Sequence, residues 1–118
     1  MSRKDLSEYA RLLRVVANPT RLMILAELRA GTRCVNDIRD LLRVSQPNVS
    51  QHLAVLKKHG LVASRTRGAA RCYYLLRPEL TRGLLGLMPA AGLAAPPRTS
   101  KRRARRGAVK AGGRTTTG

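Results

Sequence analysis

Hydrophobic positions in this chain recur first at helical spacing, then alternate, then return to helical spacing. Leu6, Tyr9, Leu13 and Val16 fall on one side of a helix over residues 6–16. The stretch "NPTRLMILAELRAG" reads as a second helix: Asn18 suits the N-cap, Pro19 the first helical position and Gly31 the stop. A third helix is predicted from about Val35 to Leu42, with Val35, Ile38 and Leu42 inward. The turn "RVS" leads to a fourth helix over 46–59, capped by Ser45 and closed by Gly60. Beyond Gly60 the period becomes two: "LVASRT" and "RCYYLL" are short strands joined by the basic turn "RGAA". Pro78 opens a last helix that carries Leu80, Leu84, Leu87 and Met88 on one stripe.

Helix 35–42, a three-residue turn and helix 46–59 have the lengths of a helix-turn-helix. With the hairpin that follows, the expected architecture is mainly α with a small β-hairpin: a winged helix-turn-helix of five helices and a two-stranded wing. Residues 1–88 form this domain. From Pro89 the composition shifts to Ala, Gly, Pro, Arg, Lys and Thr. A segment so poor in large apolar groups cannot bury enough surface to offset its ordering entropy, so 89–118 is expected to be a basic, disordered tail.

The helix "SQPNVSQHLAVLKKHGL" has two faces of different character. At about 100° per residue, Val49, Leu53 and Leu56 gather on one side. Gln51 and Lys58 fall opposite, flanked by Pro47 and Ala54. A narrow outward face without acids can enter the major groove of DNA. Gln51 can pair with an adenine edge, and Pro47 and Ala54 allow close approach to thymine methyls. Asn48 and Ser50 flank this strip. Lys57 and Lys58 should reach backbone phosphate, and the amides at Ser45 and Gln46 can also donate to it. His52 borders the core stripe and serves as a structural or phosphate contact, whereas His59 suits the helix C-terminus as a cation. Val55 lies off the core stripe, where it packs on a neighbour or meets a base. Arg65, Arg67 and Arg71, on or beside the wing, can straddle the next stretch of backbone or a minor groove. Taken alone, the same face is also what any solvated helix surface looks like.

Charge shifts the balance towards DNA. The 118 residues contain 24 Lys and Arg against six Asp and Glu, a net charge of +18. Residues 89–118 hold eight of the bases and none of the acids, so residues 1–88 alone carry +10. A polyanionic partner follows, nucleic acid rather than membrane, because no amphipathic segment bears large apolar anchors. With 43% hydrophobic residues, three Tyr and no Phe or Trp, the core should be aliphatic. No apolar run is long enough to cross a bilayer, and "MSRKDLSEYA" lacks the pattern of a secretory signal. The expectation is a soluble cytoplasmic protein at the nucleoid. Two cysteines make no disulfide framework and fit a reducing compartment.

The blocks "VVANPTRLMILAEL", "VSQPNVSQHLAVLKKHGLV" and "RCYYLL", in this order, resemble the ArsR/SmtB family of bacterial metal- and thiol-responsive repressors over roughly residues 6–88. The resemblance implies a homodimer with one winged helix-turn-helix per subunit. It also implies binding to an imperfect palindromic operator in double-stranded DNA, and release when an inducer binds. The first and last helices would form the dimer interface, which agrees with the apolar stripes on 6–16 and 80–88. A two-fold dimer would set its reading helices about 34 Å apart.

Arsenic and antimony sensors of this family carry Cys-Val-Cys-Asp before the reading helix. Here the motif is "CVND": Cys34 and Asp37 match, and Asn36 replaces the second Cys. An amide is a poor ligand for arsenite or cadmium, so the usual site is not intact. In a winged helix the short segment before the second helix of the motif often pairs with the last wing strand; residues 32–35 and 72–75 are those segments here, which would make Cys34 and Cys72 neighbours. Cys34 starts a helix beside Arg33, which favours its thiolate. Two such thiols can bind As(III), Sb(III) or another soft metal, or form a reversible disulfide. Cys72, on a strand face with Tyr74 and Leu76, otherwise reads as a small buried hydrophobe. No cofactor is required. A zinc or nickel site is not expected, since Asp5, Glu8 and Glu79 are few and lack a His partner.

No Gly-rich phosphate loop, nucleophile elbow or His-carboxylate cluster suggests an enzyme. The remaining alternative is a sequence-tolerant basic protein that condenses DNA and has no small-molecule sensor.

Overall fold

A computed structural model of the protein describes residues 1–94. The chain runs α1 (Arg3–Val16), α2 (Pro19–Leu28), β1 (Arg33–Cys34), α3 (Val35–Leu42), α4 (Gln46–Lys58), β2 (Val62–Arg67), β3 (Ala70–Leu75) and α5 (Pro78–Gly86). Among the described residues there are thus five α-helices and a wing, the architecture expected from the pattern. No helix among them is long and apolar enough to cross a membrane.

Each helix begins on a local signal. The Ser2 hydroxyl accepts from the Asp5 amide at 3.0 Å, so α1 starts three residues before the expected boundary. The Asn18 side chain accepts from the Arg21 amide at 3.1 Å, and Pro19 follows at the first helical position. Ser45 caps α4 through the Asn48 amide at 3.4 Å. Gly60, at φ 76°, ends α4, and the Leu61 amide returns to the Leu56 carbonyl at 3.0 Å. Between α3 and α4 the chain reverses through Arg43, which holds a left-handed φ of 57°.

The sheet adds one strand to the expected two. Its order is β1-β3-β2, both pairings antiparallel. The short β1 places Arg33 opposite Tyr73 and Cys34 opposite Cys72. Its pairing with β3 is the one expected from the topology of a winged helix for the segment around Cys34 and the last wing strand. The β2–β3 turn puts Gly68 (φ 60°) at the position where a two-residue hairpin requires positive φ.

Val49, Leu53 and Leu56 are fully buried, as their spacing requires, against Ile24, Leu25, Ile38, Leu61 and Val62. Val55, expected either to pack on a neighbour or to meet a base, is half-buried and packs against this core. The stripe on α1 divides. Val16 is buried, but Leu6, Tyr9 and Leu13 are 50%, 49% and 38% exposed. Only the C-terminal end of α1, with Leu12, Val15 and Val16, meets the domain's own core. Likewise α5 buries Thr81 and Leu85, leaves Leu80 and Leu84 half-covered, and exposes Leu87. The stripes on 6–16 and 80–88, expected to form a dimer interface, are therefore largely open in a single chain. Pro89–Ala91 forms a 3-10 turn within the segment expected to be structureless. The rest of that predicted tail, from residue 95, lies outside the described residues.

Candidate nucleic-acid interface

Burying Val49, Leu53 and Leu56 fixes the rotation of α4 and so decides what it shows outward. Ser45, Gln46, Pro47, Asn48, Ser50, Gln51, Ala54, Lys57 and Lys58 are all exposed. The surface grades from hydroxyl, amide and small apolar groups at the N-terminal half to lysines at the C-terminal end. Arg65, Arg67 and Arg71 are exposed on the adjoining wing. Residues 41–78 contain no Asp or Glu, so no acid on α4 or the wing offsets these cations. The ion pairs Arg39–Asp40 (3.5 Å) and Arg82–Glu79 (3.8 Å) lie outside this surface and are solvent-exposed.

His52 differs from the other expected contacts. It is half-buried, and its Nδ1 accepts from Arg21 Nε at 3.2 Å. Burial and then the nearby Arg21 charge push its pKa below the ordinary value. Arg21 also donates through Nη1 to the Val15 carbonyl at 2.8 Å, near the C-terminus of α1. One guanidinium thus ties α1, α2 and α4 together. Nothing in the sequence marks this contact, since Arg21 and His52 are 31 positions apart.

At the other end of α4, Lys57 Nζ and Arg71 Nη1 both donate to Ser64 Oγ, at 2.9 and 3.1 Å. Arg65 stacks over Tyr74, its guanidinium carbon 5.0 Å from the ring centroid. Ser64 was not among the expected residues. Its signal was the strand period, which puts Ser64 on the same face as Val62, towards α4.

Cys34 and Cys72 stand opposite each other across β1 and β3 and are joined by a disulfide. Cys34 is the N-cap residue of α3, and Cys72 is fully buried and pairs on its other side with Arg65. The bridge therefore links the start of the helix-turn-helix to the wing strand beside Arg65. His59 lines the same surface groove as Asp5 and Glu8, so these acids do have a His neighbour. They do not converge: no group of three or more His, Cys, Asp or Glu among the described residues is placed to hold a metal ion.

Residues 18–64 match the family model described as bacterial regulatory protein, arsR family. The HTH-type transcriptional repressor SmtB of Mycobacterium tuberculosis is 39% identical over 90 residues, 76% of this chain and 67% of that protein. The arsenical resistance operon repressor of Staphylococcus xylosus is 37% identical over 64% of this chain and 69% of its own. Among solved structures, reduced HlyU from Vibrio cholerae is 32% identical with a TM-score of 0.67, covering 74% of this chain and 92% of that one. The homodimeric winged helix-turn-helix DNA-binding domain of Mb0332 from Mycobacterium bovis is 28% identical with a TM-score of 0.67, covering 78% and 88%. The present chain shares the fold of these proteins and is similar in sequence to DNA-binding transcriptional repressors, and it belongs to the ArsR family of bacterial regulators.

Proposed function

We propose that the protein is a homodimeric cytoplasmic repressor that reads an imperfect palindromic operator through α4 and releases it when a thiol-reactive inducer acts on Cys34 and Cys72. The observation that carries the DNA half is the exposed, acid-free face of α4 beside the wing arginines. Gln51 addresses a base edge, with Asn48 and Ser50 beside it and Pro47 and Ala54 permitting close approach. Ser45 and Gln46 offer the helix N-terminus to phosphate, and Lys57, Lys58, Arg65, Arg67 and Arg71 hold the backbone. The exposed stripes of α1 and α5 supply the surface for a second copy, and the homodimeric Mb0332 fragment supports this.

The thiol half rests on the direct opposition of Cys34 and Cys72. Oxidation by hydrogen peroxide removes two electrons and two protons from the thiols, forms the S–S bond, breaks the O–O bond and yields two waters. Arsenous acid, As(OH)3, can instead condense with both reduced thiols. Two As–S bonds form, two As–O bonds break, the two thiol protons leave with the hydroxyls as two waters, and one hydroxyl stays on arsenic. The arsenical repressor of Staphylococcus xylosus and the state named for reduced HlyU support soft-metalloid and redox inducers respectively. Either event changes the tie between the start of α3 and β3.

The test measures binding of the full chain to duplex DNA from its own promoter region and to random DNA. A repressor prefers the promoter site by at least ~10³ at physiological salt, and a Gln51→Ala, Ser50→Ala double variant loses that preference. Equal affinity for both DNAs would favour a sequence-tolerant condensing protein. Repeating the assay with arsenite, cadmium, zinc and peroxide identifies the inducer, and unchanged response in Cys34→Ser and Cys72→Ser would remove the thiol half.

A further inference from the structure

Three polar side chains meet where the end of α4 faces the wing, and their hydrogen-bonding capacity is lopsided. Lys57 Nζ and Arg71 Nη1 both lie within 3.1 Å of Ser64 Oγ. A hydroxyl oxygen has two lone pairs, so these donors fill its accepting capacity and leave only its own O–H to give. The ammonium retains two further N–H groups and the guanidinium four. Neither cation has a carboxylate partner among the described residues, and no acid occurs between 41 and 78. What remains is two positive charges and a ring of donors with no acceptor. That inventory suits an oxyanion.

The three groups come from α4, β2 and β3, so their spacing is set by secondary structure rather than by a loop. Val62, two residues before Ser64 on the same strand face, is fully buried and anchors that face against the core. Lys57 and Arg71 are nevertheless exposed, which leaves the cluster too open to hold an isolated small anion tightly. A polyanion gripped by the neighbouring Lys58, Arg65 and Arg67 would be held in register over it.

We propose that Lys57, Ser64 and Arg71 form one seat for a single phosphodiester of duplex DNA, bridging the reading helix and the wing. The seat rests on the DNA-binding reading above and adds two things to it. Lys57 and Arg71 act on the same phosphate, and Ser64 is a positioning residue that spaces the two cations while donating its proton to a phosphate oxygen.

The salt dependence of binding tests this without knowledge of the operator. On duplex DNA each neutralised phosphate contributes about 0.9 to the slope of log affinity against log salt. The full chain is titrated with a random-sequence 30-base-pair duplex from roughly 50 to 200 mM sodium chloride. Lys57→Gln or Arg71→Gln alone leaves one cation on the phosphate and should change the slope by well under about 0.9, whereas the double variant should flatten it by about 0.9 in total. A double variant that loses about 1.8 would assign the lysine and arginine to separate phosphates and overturn the seat; an unchanged slope would overturn it as well. Ser64→Ala should weaken binding severalfold at an unaltered slope, and unaltered affinity would remove its part. Replacing chloride by inorganic phosphate at equal ionic strength should leave affinity on the same curve; a phosphate-specific drop would reassign the site to a free anion. Unchanged thermal midpoints confirm that the variants fold. Failure of the wild-type chain to bind the duplex would sink the DNA reading itself, a different result from additive slopes.

Discussion

Arg21 donates through Nε to Nδ1 of His52 on α4 at 3.2 Å, a contact that needs an imidazole with no proton on Nδ1. Protonating Nδ1 would remove the acceptor and set a second cation against the guanidinium. The pKa of His52 accordingly lies below 6.5, through burial first and the Arg21 charge second. For a base whose folded pKa is depressed, the unfolded chain binds more protons between the two values. The contribution is therefore complete above 6.5 and is lost as pH falls through the folded value. Thermal unfolding from about pH 8 to 5 should show a steeper fall for wild type than for His52→Gln, whose amide oxygen still accepts from Arg21. Superimposable pH profiles would remove this contact from the stability of α4.

The bridge between Cys34 and Cys72 spans 38 positions and closes α3, α4 and most of the wing into one loop. On chain-entropy grounds, a loop of that length is worth about 4 kcal/mol, within a usual range of 2–5. Denaturant unfolding should place reduced wild type, Cys34→Ser and Cys72→Ser together, about 2–4 kcal/mol below the oxidised protein. Reductant should move wild type alone. A gap under about 1 kcal/mol would mean that closing this loop hardly constrains the unfolded chain.

These two relationships mark how far the sequence reaches. The α4 face was legible because Val49, Leu53 and Leu56 sit at helical spacing, so burying them leaves Gln51 and Lys58 outside without alternative. The wing followed from the change of period, and the opposition of Cys34 and Cys72 from the topology of a winged helix. Arg21–His52 was not legible, because a side chain on α2 finds its partner only when the helices have packed. The α1 stripe was legible as an apolar face, and its assignment to a dimer came from the family resemblance rather than from the period. Periodicity announces that Leu6, Tyr9 and Leu13 want cover, but not whether the cover comes from the same chain.

That cover is expected from a second copy. Tyr9 and Leu13 are 49% and 38% exposed and lie on the same face as half-exposed Leu6. Burying a Tyr or Leu in a partner is worth about 1.5–3 kcal/mol, and a carboxylate there would be buried unpaired. Tyr9→Glu and Leu13→Glu should each raise the dimer dissociation constant at least ~10-fold by light scattering or sedimentation. Circular dichroism of the monomer should be unchanged, since neither residue supports the fold of a single chain. Leu53→Ala, by contrast, should cost about 2–5 kcal/mol of folding stability. Should Tyr9→Glu remain a dimer of wild-type affinity, the interface lies elsewhere.

Arg43 lies in the turn between the two helices of the motif in an unfavourable conformation. Its φ of 57° is left-handed, yet its amide still bonds the Arg39 carbonyl at 2.8 Å, and the Val44 amide bonds the same carbonyl at 3.3 Å. That pair of bonds stops α3 and turns the chain towards Ser45. A side chain in this region costs about 1–2 kcal/mol, which glycine escapes at the expense of a more flexible unfolded chain. Arg43→Gly should therefore be neutral to about 1 kcal/mol stabilising. Arg43→Val, β-branched and poorly tolerated at positive φ, should lose about 1–2 kcal/mol. If the arginine were there for its charge, glycine and valine would be equally harmful in denaturant melts. An ordering with glycine at or above arginine and valine below both identifies the backbone as what this position serves.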